Sequence, residues 1–246
     1  MDAVALAHDW QDWSTQLAPP GRPPALALVL GCGLVALAAV LSRRIWPVSR
    51  TVVTLAHEGG HALVALLAGR RLDSVRIMRS TAGLTVSAGS AAGVGLVLTT
   101  AAGYTTPPLL GLGAAALLAT GHLTSMLVLA LASLAGLALM IRNAYGILAV
   151  LLTGALVALV MWRGTTLAEV AFGYLATWFL LLGGVRPVAE LQRTRRRGRG
   201  QATDADQLAR LTGTPGWLWV GVFGLVALAA LAVGAFWLVP LKGLPL

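Results

Sequence analysis

The stretch PVSRTVVTLAHEGGHALVALLAG, residues 47–69, decides the fold class. It has the length of a membrane-crossing helix, which needs about 20 mostly apolar residues. A proline opens the stretch and a glycine closes it, as is typical of the start and the end of a helix. Three polar side chains, those of His57, Glu58 and His61, interrupt the apolar run near its middle. The stretch therefore predicts a membrane helix that carries a polar site.

The rest of the chain is also apolar. Of its 246 residues, 57% are hydrophobic and only 11% are charged, whereas a soluble domain has about 25% charged residues. Apolar runs of membrane-crossing length predict seven helices, at about 25–42, 47–68, within 92–119, 123–141, 144–162, 165–183 and 215–239. We therefore predict an all-α polytopic membrane protein with about seven transmembrane helices. Residues 25–246 form one membrane domain, with its core at about 47–240, after a polar lead-in at 1–24.

A short β-hairpin is predicted directly after the second helix. Residues 74–78 and 84–87 alternate with a period of two, and Thr81, Ala82 and Gly83 separate them. Unpaired strand edges cannot face lipid, because their backbone polar groups would have no hydrogen-bond partners. We expect the hairpin to lie at the membrane interface or to be covered by protein.

The net charge of +9 predicts orientation in the membrane and not nucleic-acid binding. Arginines are concentrated in short loops between apolar runs, chiefly at 70–79 and within the loop predicted at 185–213. Four predicted helices separate these two stretches, so both lie on the same side, which the positive-inside rule identifies as the cytoplasm. The expected protein is a multi-pass cell-membrane protein with a cytoplasmic N-terminus, and its surroundings are the lipid bilayer.

The polar site in the second helix has the spacing of a zinc motif. His57 and His61 are four residues apart, which places both imidazoles on one helix face, one turn apart. Glu58 follows the first imidazole and can reach a water held by the metal. Polar groups in the middle of a membrane helix cost free energy and need a compensating partner. Hydrogen bonding to neighbouring helices is the alternative interpretation, but it does not explain the spacing.

A catalytic zinc ion usually takes three protein ligands. Four acids on the predicted cytoplasmic side are candidates for the third: Asp73, Glu190, Asp204 and Asp206. Asp204 is the first choice because it leads into the last helix, and Asp206 is the next. Alternatively, Asp204 is the N-cap of a short helix, with Gln207 at its third position. His122 and Glu169 are excluded because the predicted topology puts them at the outer face.

Four parts of the chain carry a resemblance to a known family. They are the His57–His61 motif in a membrane helix, Gly69–Arg71 followed by the hairpin, the small-residue and proline segment 102–107, and the segment 203–208 before the last helix. In these parts the chain resembles the site-2 proteases, a family of intramembrane zinc metallopeptidases, and in particular its small members without an inserted peptide-binding domain.

The resemblance implies an activity and a set of site residues. His57 and His61 would be zinc ligands, Asp204 the third ligand and Glu58 the catalytic base. The protein would be a zinc metalloendopeptidase that uses zinc-activated water to hydrolyse peptide bonds in membrane-embedded or membrane-proximal polypeptides. Its partner would be a membrane-protein substrate, and the resemblance gives the hairpin the task of presenting a substrate strand to the zinc ion.

Two other functions compete with the protease. The family's third ligand usually precedes a glycine in a segment containing asparagine and proline, and this chain lacks that segment. The first alternative is therefore a catalytically inactive, metal-binding membrane scaffold that binds partner helices. The second is a metal transporter, which would need polar ligands on several helices at membrane depth. Predicted helices three to six offer almost none.

Overall fold

The computed structural model of the protein describes residues 24–78, 83–90, 92–196 and 203–239. Apart from Pro24, the predicted lead-in lies outside the described residues. Within these ranges the chain forms, in order, α1 (Leu26–Leu41), α2 (Trp46–Leu67), β1 (Arg71–Ile77), β2 (Gly83–Ala88), α3 (Val94–Ala119), α4 (Leu123–Ala138), α5 (Ala144–Arg163), α6 (Thr166–Arg196), α7 (Asp204–Thr212) and α8 (Gly216–Leu238). The predicted helical class is therefore confirmed, and so is the hairpin after the second helix.

Among the described residues, fewer helices have the length and composition of a membrane crossing than the seven predicted. Among the described residues α5, α6 and α8 are each long and apolar enough to cross a bilayer. Helices α1 and α2 meet the same criteria only as a pair, and the chain bends by 102° between them. The described part thus has three such helices, or four if the bent pair is one crossing. Seven crossings are not confirmed and stay a prediction.

The end of α2 follows from its sequence. Gly69 has a φ of 69°, a left-handed conformation that glycine adopts without steric cost. Its N–H donates to the Leu66 carbonyl at 3.0 Å, and the N–H of Arg70 donates to the Ala65 carbonyl at 2.9 Å. Together these two bonds form a Schellman motif, which satisfies the last carbonyls of the helix. The chain then reverses directly into β1.

The hairpin is held against the helices by its own side chains and by a third segment of backbone. Val75 and Ile77 of β1 are buried in a cluster with residues from α2, α4 and α5. Strands β1 and β2 pair in antiparallel register with an irregularity between Leu72 and Ser74. The other edge of β1 receives a parallel bridge between Val75 and Ile141. The hairpin is therefore covered by protein on this side, as its backbone polar groups require.

Asn143 extends this third segment with its side chain. Its Oδ1 accepts from the N–H of Ile77 at 3.0 Å, and its Nδ2 donates to the Ile77 carbonyl at 2.7 Å. The amide group thus pairs with a strand residue much as a neighbouring strand would. The linker between α4 and α5 thereby fixes the position of the hairpin.

The prediction that the sixth helix ends near residue 183 is wrong. Helix α6 continues to Arg196 and contains Pro187, so the predicted loop 185–213 holds the end of α6 as well as α7. Within this helix lie two adjacent glycines and a proline, residues of low helix propensity, and they do not end it. A Cβ on Gly184 would overlap the ring of Pro108 in α3, so the glycine permits a close helix contact there. Tertiary packing here overrides weak local propensity.

Helix α3 is the central element around which the site is built. It packs against α2, α6, α7 and α8. It is one helix from Val94 to Ala119 with Pro107 and Pro108 inside it. The small residues of α3 allow α2 to approach it closely, which determines the geometry of the site.

Candidate metal centre

Helix α2 directs its two histidines to one point. The Nε2 atoms of His57 and His61 are 3.1 Å apart, and the two rings meet edge to face at 84°. The i, i+4 spacing therefore places both donor atoms together, as predicted from the sequence.

Asp204 is the acidic residue that joins them. Its Oδ2 atom lies 3.2 Å from Nε2 of His57 and 3.3 Å from Nε2 of His61. It is the first residue of α7, whereas both histidines lie in α2. Within the described ranges this is the one group of three His, Cys, Asp or Glu residues whose ligand atoms converge closely enough to hold a metal ion.

The three donor atoms fit a metal ion in both distance and chemistry. Ligand atoms about 2.0–2.1 Å from a tetrahedral zinc ion lie about 3.3 Å from each other. The three observed separations, 3.1, 3.2 and 3.3 Å, are close to that value. Two imidazole nitrogens and a carboxylate oxygen also belong to the donor types that zinc takes in proteins. A neutral imidazole nitrogen and a carboxylate oxygen each offer a lone pair to a metal ion, so these three atoms could hold a cation between them.

The backbone of α3 orients the second histidine. Nδ1 of His61 lies 2.7 Å from the Thr99 carbonyl oxygen. A carbonyl can only accept, so His61 donates from Nδ1, which leaves the lone pair of Nε2 pointing toward the other two donors. A hydrogen bond from the second ring nitrogen is the usual way in which a ligating histidine is held in one tautomer.

Gly103 of α3 leaves room for the two imidazole rings. A Cβ at this position would lie 2.6 Å from Cε1 and Nε2 of His57 and would overlap Nε2 of His61. Thr106 lies one turn further along α3, and a Cβ on Gly60 of α2 would overlap its side chain. The two helices therefore meet through glycines on both sides, and the histidines occupy the space that a larger residue at Gly103 would fill.

Glu58 lies beside the three donors without being one of them. Its side chain is buried, at 3% exposed, and its Oε1 atom lies 4.0 Å from Nε2 of His57. Its Oε2 atom accepts a hydrogen bond of 2.5 Å from the hydroxyl of Thr85 in β2. A Cβ on Gly83, also in β2, would overlap the carboxylate. The hairpin therefore lies directly against Glu58 and fixes the direction of its carboxylate.

The other acids predicted as third-ligand candidates are bound elsewhere or exposed. Asp206 forms an ion pair with Arg195, with 2.8 Å between Oδ1 and Nε. Glu190 accepts from the indole N–H of Trp46 at 3.0 Å. It also pairs with arginines of α2 and α6. Asp73 is exposed at the irregular position of β1. None of the three joins the histidines, and neither does His122, which precedes α4 and contacts Thr120.

The alternative interpretation of Asp204 as an N-cap is wrong. The cap of α7 is Thr203, whose hydroxyl accepts from the N–H of Asp206 at 3.3 Å. The Asp206 carboxylate accepts in return from the N–H of Thr203 at 3.2 Å, which completes a capping box. Burial disfavours the charged carboxylate, but hydrogen bonds from Thr203 and Arg195 outweigh it and hold the pKa of Asp206 below its ordinary value. The side chain of Asp204 remains available for the histidines.

Sequence reasoning missed the residues that surround the donors. Thr85 lies in β2, and its hydrogen bond to Glu58 of α2 depends on tertiary structure that no local pattern shows. Thr99 contributes only its backbone carbonyl, which carries no signal in the side-chain pattern. Gly103 lies in the small-residue segment 102–107, and that composition was the available signal of a close helix approach. Thr203 and Asp206 match a capping box with aspartate in place of glutamate.

Comparison with known proteins identifies the family. A family model described as Peptidase M50B-like matches residues 30–234, a range that contains all four residues of the candidate centre. None of the curated proteins and none of the solved structures matches the chain. The family is one of peptidases. The family match and the apolar helices together indicate that this chain is a membrane protein. The match supports the resemblance to site-2 proteases, and because it covers most of the chain we conclude that the protein belongs to the peptidase M50B-like family.

Proposed function

We propose that the protein is a zinc metalloendopeptidase that hydrolyses peptide bonds of membrane-embedded or membrane-proximal polypeptides. The observation that carries the proposal is the convergence of His57, His61 and Asp204 on one point, with the Glu58 carboxylate beside it. The first three residues would hold the ion. A zinc ion in this position supplies a Lewis acid that polarises the substrate carbonyl and lowers the pKa of water.

Glu58 would be the general base and then the general acid. Its Oε2 atom is occupied by the Thr85 hydroxyl, whereas Oε1 is the oxygen near the donor atoms. We assign Oε1 as the atom that accepts the proton of the attacking water and returns it to the leaving amine. General acid–base catalysis of this kind contributes about 10²–10⁴-fold to the rate. Thr85 is a positioning residue, because it acts on the reaction only through the direction of this carboxylate.

The hairpin offers one open strand edge for an extended substrate. Residues 140–142 already pair with β1 at Val75, through hydrogen bonds of 3.0 and 2.9 Å. In the described part of the chain, the outer edge of β2 has no such neighbour. An extended polypeptide added to this edge would form main-chain hydrogen bonds. Because β2 contains Gly83 and Thr85, such a chain would run close to Glu58.

The test uses the full chain in detergent, with unfolded casein as the polypeptide probe. Wild type is expected to hold about one zinc ion per chain, by analogy with mononuclear zinc sites, and to cleave casein. Glu58→Gln should retain zinc and lose cleavage by about 10²–10⁴-fold. His61→Ala should lose both zinc and cleavage. Glu169→Gln, at the start of α6 and outside the candidate centre, is the matched control.

Two results would oppose the proposal in different ways. Undiminished cleavage by Glu58→Gln with zinc bound would remove the role assigned to its carboxylate. A wild-type chain that binds zinc and leaves casein intact would favour the metal-binding scaffold instead.

A further inference from the structure

Helix α7 is fixed in rotation by two buried residues. Ala205 and Leu208 are fully buried and pack in a cluster with Val188 and Leu191 of α6 and with Phe223 of α8. Because residues three apart lie on the same face of a helix, these two residues determine which side of α7 faces the bundle. They thereby determine the direction of every other side chain in its first turn.

This rotation separates the two aspartates of the first turn. Successive residues are about 100° apart around a helix, so Asp204 and Asp206 point in nearly opposite directions. Asp204 faces the histidines, with its Oδ2 atom 3.2 and 3.3 Å from their Nε2 atoms. Asp206 faces away and accepts hydrogen bonds from Thr203, at 2.6 Å from the hydroxyl and 3.2 Å from the backbone N–H.

We propose that Asp206, together with Thr203 and Arg195, positions Asp204 for metal binding, so that metal affinity depends on a carboxylate that does not touch the ion. This inference rests on the proposed metal site. Asp204 is the first residue of α7 and lies where helices fray, because the first four N–H groups of a helix lack intrahelical partners. The capping box supplies partners for two of these groups, the N–H groups of Thr203 and Asp206, and holds the turn that carries the ligand.

Arg195 connects this turn to the rest of the bundle. It lies near the end of α6, and its Nε atom donates to Oδ1 of Asp206 at 2.8 Å. A Cβ on Gly216, at the start of α8, would overlap the guanidinium group of Arg195. The arginine is therefore confined between α7 and α8. Since its partner is the N3 residue of α7, this contact limits the movement of the turn that bears Asp204.

The experiment measures zinc affinity of the purified full chain by competition with a chromogenic chelator. Asp206→Ala and Thr203→Val are expected to weaken zinc binding by about 10- to 100-fold, the usual effect of removing a partner that orients a ligand. Thr203→Ser keeps a capping hydroxyl and should bind zinc as wild type does. Arg210→Ala, which changes an exposed arginine in the last turn of the same helix, is the matched control and should also leave affinity unchanged.

Two further measurements distinguish positioning from a purely structural role. With cobalt(II) in place of zinc, the visible absorption spectrum reports the coordination geometry, and Asp206→Ala should change it. Thermal unfolding with zinc and with chelator gives the zinc-dependent rise in Tm, which should shrink in Asp206→Ala because metal binding stabilises by mass action. Should alanine prevent folding, Asp206→Asn keeps an oxygen for the Thr203 N–H, loses the charge that faces Arg195, and should show intermediate affinity.

Wild-type zinc affinity and an unchanged cobalt spectrum in Asp206→Ala would overturn the inference while leaving the metal site intact. An equal loss of Tm with and without zinc would also overturn it, because Asp206 would then be only a helix cap. A wild-type chain that binds no zinc, and is indistinguishable from His61→Ala, would overturn both this inference and the proposed function.

Discussion

Replacing Gly103 by alanine tests whether the space in α3 is needed for metal binding. The added Cβ would lie 2.6 Å from two atoms of the His57 ring. Carbon atoms pack at about 3.5–4.0 Å, so the rings or the helices must move by about 1 Å. Overpacking of this kind costs about 1–3 kcal/mol. The apo chain can relax by turning the rings away, whereas the metal-bound chain requires them to converge, so we expect the cost to fall on the bound state.

This free-energy cost converts directly into a loss of zinc affinity. At about 1.4 kcal/mol per tenfold change, Gly103→Ala should weaken zinc binding by about five- to 150-fold. The assay is chelator competition with the full chain in detergent. Gly113→Ala is the matched control, because Gly113 lies in the same helix with nothing within 4 Å of the added Cβ. Its zinc affinity should equal that of wild type. If the two variants bind zinc equally well, the argument about space around the imidazoles is refuted.

Two further predictions concern the hairpin. Thr85→Val removes the hydrogen bond to Oε2 of Glu58. Because hydrogen bonds to charged groups are worth about 1.5–3 kcal/mol, casein cleavage should fall about tenfold or more. The zinc content should stay unchanged. Thr85→Ser should keep most of the cleavage, and a loss of zinc in Thr85→Val would contradict the role given to it. Asn143→Ala removes both hydrogen bonds to the backbone of Ile77, so amide hydrogen exchange in β1 should accelerate. Unchanged exchange there would show that burial of the hairpin alone holds it.

The parts of the site that sequence could predict are those encoded locally. His57, Glu58 and His61 lie within one turn of a single helix, and helical periodicity alone brings the two imidazoles together. Gly69 signalled the end of that helix through its tolerance of a left-handed backbone. The choice of Asp204 needed a topology argument, since α2 and α7 are far apart in sequence. The geometry brings Asp204 to the histidines, but its role as a ligand is a proposal.

The parts that sequence could not predict depend on tertiary contacts. Helix α6 continues past its predicted end near residue 183, and its Gly184 packs closely against the ring of Pro108 in α3. The pairing of Val75 with Ile141 joins segments that are remote in sequence, and no local pattern announces it. The alternative interpretation placed the cap of α7 one residue too late, because aspartate at 204 is as good an N-cap candidate as threonine at 203.

The glycine contacts between α2 and α3 make one wall of the site closely packed. Because Gly60 contacts Thr106 and Gly103 contacts the imidazoles, a shift of one of these two helices against the other would displace the two histidines. Another wall is the hairpin, which contacts Glu58 through the hydroxyl of Thr85 and through Gly83. A substrate polypeptide would therefore enter on the side of the hairpin. There an incoming strand could replace the few polar contacts that the hairpin makes with Glu58.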